Sequence, residues 1–127
     1  MKLLFAEDEV SMAEAVTDIL TYHNYSVDTV YNGADALDYA RTENYDGIFL
    51  DIMMPKKNGY EATLAIRGIH DRPDARTIPI IAMTANAFVG DVQASLDAGM
   101  NGHLAKPIVM EEVVKSIARN LTFAKRE

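Results

Sequence analysis

A chain of 127 residues with no cysteine and a net charge of −7 has room for one hydrophobic core and no material for a disulfide framework or a thiolate metal site. A pI near 4.9 opposes electrostatic binding to nucleic acid, which needs clustered Lys and Arg, and only Lys56–Lys57 and Lys125–Arg126 pair basic residues. No apolar run approaches the roughly 18 residues of a membrane span and Leu3–Ala6 is too short for a signal peptide, so residues 1–127 are expected to form one cytoplasmic domain.

In chain order, the apolar run Lys2–Ala6 predicts a first strand, closed by Glu7 and Asp8. Met12, Ala15, Val16, Ile19 and Leu20 then recur at spacings of three and four, the core stripe of a first helix. Ser26–Val30 is the most polar strand-like run and is assigned to a sheet edge. Asn32 is placed to cap a second helix running through Tyr39 and Ala40. The third strand, Gly47–Leu50, stops against Asp51, and Asn58 is placed to cap a third helix from Gly59 to about Ile69. After the longest loop, Asp71–Pro79, a fourth strand spans Ile80–Met83 and meets Thr84. A weakly amphipathic fourth helix near Gly90–Ala98 has Gly99 as its C-cap, and a fifth strand, Gly102–Leu104, leads to Lys106–Pro107. That X–Pro bond is where a cis isomer is inexpensive, and cis geometry would turn the lysine inward. Met110, Val113, Val114, Ile117 and Leu121 mark the last helix. Strict alternation of this kind specifies the α/β class: a five-stranded parallel sheet, doubly wound in the flavodoxin-like manner, with five helices.

Strands of a parallel sheet point one way, so their carboxyl-terminal residues converge on one rim. Glu7, Asp8, Asp51, Thr84 and Lys106 therefore share a site. Individually each has a plainer reading: Glu7–Asp8 as acids before a helix, Asp51 as a turn residue, Thr84 and Lys106 as strand boundaries. Jointly they form a cluster of carboxylates that repel one another unless a cation joins them, and all-oxygen ligands favour magnesium. A carboxylate closing the buried run Ile48–Phe49–Leu50 is costly to place there. A hydroxyl and an ammonium beside it suit the oxygens of a phosphoryl group.

Four segments in order, Phe5–Ala6–Glu7–Asp8–Glu9, Leu50–Asp51–Ile52–Met53–Met54–Pro55 with Asn58–Gly59, Ala82–Met83–Thr84–Ala85, and Lys106–Pro107, resemble the receiver domain of two-component response regulators over essentially the whole chain. The resemblance implies that Asp51 is the phosphoacceptor, taking a phosphoryl group from a histidine kinase or histidine phosphotransfer protein. It implies magnesium held by Glu7, Asp8, Asp51 and the backbone carbonyl of Met53, with Thr84 and Lys106 binding phosphoryl oxygens. Thr84 and His103 would be the switch residues, His103 standing where the family usually has an aromatic residue three positions before the lysine. Glu7 replaces the commoner aspartate, and Met53 and Asn86 flank the family's path for attacking water, where a thioether implies slow to moderate loss of phosphate. The fourth helix, fifth strand and fifth helix would form the surface for a homodimer or output domain, with Phe88 in the loop leading to it.

The start at Met1 resembles free-standing regulators, whereas the run from Met83 to Pro107 resembles receivers of hybrid kinases. Two other readings are a receiver-like binding module that takes no phosphate and a small magnesium phosphatase of the haloacid-dehalogenase type. The second requires an acid two residues after the nucleophile, where this chain has Met53. P-loop, dinucleotide, zinc-protease and serine-hydrolase motifs are absent.

Overall fold

A computed structural model describes residues 1–54, 56–72, 74–84, 89–106 and 109–122, apart from the side chains of residues 89–92, 110, 121 and 122. The expectations for Asn86, Phe88, the Lys106–Pro107 bond and Lys125–Arg126 lie outside the described residues, as do those for the side chains of Met110 and Leu121. The strands are β1 (Lys2–Ala6), β2 (Ser26–Val30), β3 (Gly47–Asp51), β4 (Ile80–Thr84) and β5 (Gly102–Ala105). The helices are α1 (Val10–Tyr22), α2 (Gly33–Thr42), α3 (Gly59–Arg67), α4 (Val89–Ala98) and α5 (Met110–Ile117).

All five strands are parallel, in the order β2-β1-β3-β4-β5, which makes the polar β2 an edge as its composition predicted. The register pairs Ala6 with Leu50, Asp51 with Met83 and Thr84 with Ala105, so the carboxyl ends step forward by one residue from β1 to β3 and from β3 to β4, and β4 and β5 finish level. β3 and β4 each run one residue past their apolar stretch, because the ladder continues through Asp51 and Thr84, and β5 runs one residue past its predicted end, through Ala105. Ile52 N donates to Met83 O at 3.0 Å and Lys106 N to Thr84 O at 2.8 Å just beyond them. Apolarity ended where the site begins; backbone pairing did not.

Successive strand residues face opposite layers, and both layers are buried. Leu4, Ala6, Ile48, Leu50, Ile80 and Ala82 pack with Ala36, Leu37 and Ala40 of α2 and Ala62 and Ile66 of α3. Leu3, Phe5, Phe49, Ile81 and Met83 pack on the other face with Ala13, Val16 and Leu20 of α1 and Val113 and Ile117 of α5.

Two core assignments are corrected. In α1, Ala13 is buried while Ala15 and Ile19 are exposed, which centres the stripe on Ala13, Val16 and Leu20. Two neighbouring faces of this helix satisfy the same spacing, and the sheet contacts only one. In α5, Val114 is 42% exposed and Ser116 is buried beside Val113 and Ile117. Beyond α5 a π-helical turn, Ala118–Thr122, shifts the phase again.

The caps match the sequence. The Asn32 side chain accepts from Asp35 N, and Asn58 with Glu61 forms a reciprocal capping box at α3. α3 stops at Arg67, two residues short of the predicted end, with Gly68 as C-cap. Gly99 follows α4 at φ +104°, the left-handed conformation that favours glycine at a helix end. Among the described residues, no helix is long and apolar enough to cross a membrane.

Candidate functional site

The site stands on the carboxyl ends of β1, β3 and β4 and on the lysine after β5. Glu7 is fully buried, fixed by its own N–H to Val30 O at 3.1 Å and by Glu9 N donating to Oε1 at 3.1 Å. Its Oε2 lies 2.9 Å from Lys106 Nζ as an ion pair and, among the described residues, meets no partner in hydrogen-bond geometry. Asp51 is also buried; Oδ2 accepts from Lys106 Nζ at 3.0 Å and Oδ1 from Met53 N at 3.2 Å.

One ammonium thus bridges two buried acids. Burial pulls the pKa of Lys106 down, and its close pairing with the carboxylates of Glu7 and Asp51 more than offsets this, leaving it above its ordinary value. Thr84 is buried at the end of β4, and its carbonyl holds Lys106 N, so hydroxyl-bearing residue and lysine are locked to one another through the backbone. Asp8 is exposed at the mouth.

Carboxylate oxygens of Glu7, Asp8 and Asp51 lie within 4.8 Å of one another. Such a set of hard oxygen donors, with one buried oxygen that among the described residues has only an ion pair to Lys106, fits a divalent cation of the magnesium kind. Met53 is 77% exposed, so its thioether projects into solvent while its N–H contacts Asp51. His103 is exposed on β5 in a groove of about 280 Å³, lined also by Leu96, Ser116, Arg119 and Asn120, apart from the carboxylates.

Sequence reasoning missed how tightly glycine frames this rim. A Cβ at Gly59 would lie 2.6 Å from Asp51 O and 2.9 Å from Ile52 Cα, so α3 can begin directly under the strand end that carries Asp51 only without a side chain. A Cβ at Gly33 would collide with Lys57 O, where α2 begins against the β3–α3 loop. That loop carries Lys56 at φ 55° and Lys57 at φ 114°, both in the left-handed half of conformational space. The Asn32–Gly33 pair had announced a cap and nothing about Lys57.

The family model described as the response regulator receiver domain matches residues 3–118. Response regulator ArlR of Staphylococcus aureus is 39% identical over 116 residues, covering 91% of this chain and 50% of that protein, so the chain spans about half the length of the curated relatives it matches. The receiver domain of sensor histidine kinase PA1611 from Pseudomonas aeruginosa PAO1, solved with a magnesium ion coordinated in its active-site cleft, is 36% identical. It superposes with a TM-score of 0.86, covering 95% of this chain and 97% of that one. The Saccharomyces cerevisiae complex of the phosphotransfer protein Ypd1 with the Ssk1 receiver domain gives a TM-score of 0.86 at 24% identity over 96% of this chain and 89% of that one, a likeness of fold alone.

Proposed function

The chain belongs to the response regulator receiver domain family, and from that premise we propose that Asp51 accepts a phosphoryl group from a phosphohistidine of a histidine kinase or histidine phosphotransfer protein. A carboxylate oxygen of Asp51 attacks phosphorus, the N–P bond breaks, and the imidazole leaves with its electron pair and takes up a proton. An acyl phosphate on Asp51 results. Glu7, Asp8, Asp51 and the carbonyl of Met53 would hold magnesium, which when bound would offset the charge on the transferring oxygens.

Lys106, already 3.0 Å from Asp51 Oδ2, is placed to hold one phosphoryl oxygen, and Thr84 to hold another by its hydroxyl. The single observation that carries this reading is a buried aspartate joined to an ammonium and flanked by two further carboxylates within 4.8 Å. Exposed Val10, Met53 and Val109, which follow β1, β3 and β5 at the same rim, offer an apolar border for a docking partner from the cytoplasm. As a signalling switch the domain turns over no external substrate. Thr84 and His103 carry the change to α4, β5 and α5, where a second copy or an output domain reads it.

Incubation with magnesium and acetyl phosphate, followed by intact mass, is expected to show one added phosphoryl group, absent from Asp51→Asn. No addition to the wild type would return the chain to a phosphate-independent binding module, and steady release of phosphate would make it a phosphatase.

A further inference from the structure

We propose that the long side chain of Glu7 holds Lys106 against the acid pocket, so that magnesium binds in competition with the Glu7–Lys106 contact. This rests on the pocket being the magnesium site set out above.

Three carboxylates with oxygens inside 4.8 Å need a positive charge whether or not a metal is present. Lys106 Nζ supplies it, at 2.9 Å from Glu7 Oε2 and 3.0 Å from Asp51 Oδ2. Those two acids are the buried members of the set, and Asp8 is the exposed one. The ammonium therefore neutralises the pair that water reaches least, on the oxygens a divalent ion would draw upon.

Reach decides this arrangement. Glu7 leaves the chain at the end of β1, Lys106 after β5, and β3 and β4 lie between those strands. An aspartate at position 7 would stop short by about one carbon–carbon bond, ~1.5 Å, and the same charge would no longer meet Nζ. Oε1 is already committed to Glu9 N, which leaves Oε2 for whichever cation arrives. Glutamate here thus strengthens the metal-free pocket and weakens its hold on magnesium, both by way of Lys106.

A charge-conserving change separates this from plain electrostatics. Removing any nearby ammonium tightens cation binding, but the effect of Glu7→Asp should depend on Lys106 being present. Magnesium affinity is measured by calorimetry for the wild type, Glu7→Asp, Lys106→Met and the double variant, with thermal unfolding in chelator. Each single variant should bind magnesium about fivefold or more tightly and melt lower without metal, and Glu7→Asp should add nothing once Lys106 is methionine. Weaker magnesium binding by Glu7→Asp, or an equal effect of it in both backgrounds, overturns the proposal. Should a variant fail to fold, the wild type still decides: the Lys106 ε-carbon resonance must shift along the magnesium titration, and a stationary signal refutes the competition. A wild type that binds no magnesium at all would instead sink the metal-site reading itself.

Discussion

Gly59 starts α3 at a point where an added side chain would meet main-chain atoms of β3 and the residue after it. Its Cβ position lies 2.6 Å from the Asp51 carbonyl and 2.9 Å from Ile52 Cα, both backbone atoms that cannot swing aside. Gly59 N also donates to Ile52 O at 2.9 Å, so the first turn of α3 is fastened to the residue after Asp51. Gly59→Ala is therefore expected to push the end of β3 off register, cost about 1–3 kcal/mol of stability and slow phosphorylation of Asp51. Gly68→Ala is the control, since its nearest new contact would be an ordinary 3.5 Å to Leu64 O. Urea denaturation of the two variants gives the comparison, and equal midpoints would contradict the close-approach account. The acids, Thr84 and Lys106 were legible because each interrupts or follows an apolar run. Gly59 was legible only as a neighbour of Asn58, because a van der Waals contact between a helix start and a strand end leaves no periodic trace.

Elements were read well where one physical signal decides them. Alternating apolar runs gave five strands, Asn32 and Asn58 gave helix starts, and the polarity of Ser26–Val30 gave the edge. Tertiary packing governed the rest, as in the choice of Ala13 over Ala15 in α1. The end of α3 shows the same limit. Arg67 donates to Gly99 O at 3.0 and 2.8 Å, to Ala75 O at 3.1 Å, to Ile78 O at 2.7 Å and to Asn101 Oδ1 at 2.8 Å. Asn101 Oδ1 also accepts from Ile80 N at 2.9 Å. One guanidinium, its pKa lowered by burial, thereby ties α3 to the end of α4 and to the start of β4. Its acceptors are mostly main-chain carbonyls, which any sequence supplies, so no motif marks them. Arg67→Met should leave those carbonyls unpaired and cost about 3 kcal/mol by urea denaturation. A loss below about 1 kcal/mol would mean water replaces the guanidinium without penalty.

Across the whole molecule, the two ends of the sheet share a dependence on alkaline pH. At the carboxyl rim, Lys106 loses affinity for its proton through burial but regains more from Glu7 and Asp51, so its folded pKa stands above the ordinary 10.5. At the amino end, before β3, Tyr45 donates to Asp28 Oδ2 at 2.6 Å, and burial first, then that carboxylate, raise its pKa well above the ordinary 10.0. Both groups therefore hold their protons more tightly folded than unfolded. Their stabilisation is fully present below the unfolded pKa values and is lost as pH rises toward the folded ones. Unfolding temperature in chelator should stay level for these two contributions through pH 9 and fall above about pH 10, more shallowly in Lys106→Met and in Tyr45→Phe. Because Lys106 and Tyr45 occupy opposite ends of the sheet and share no partner, the two variants should flatten the alkaline limb additively. Wild-type and Lys106→Met curves that remain parallel from pH 8 to pH 11.5 would show that the ammonium gains nothing from Glu7 and Asp51, and the counter-ion role would fall with it.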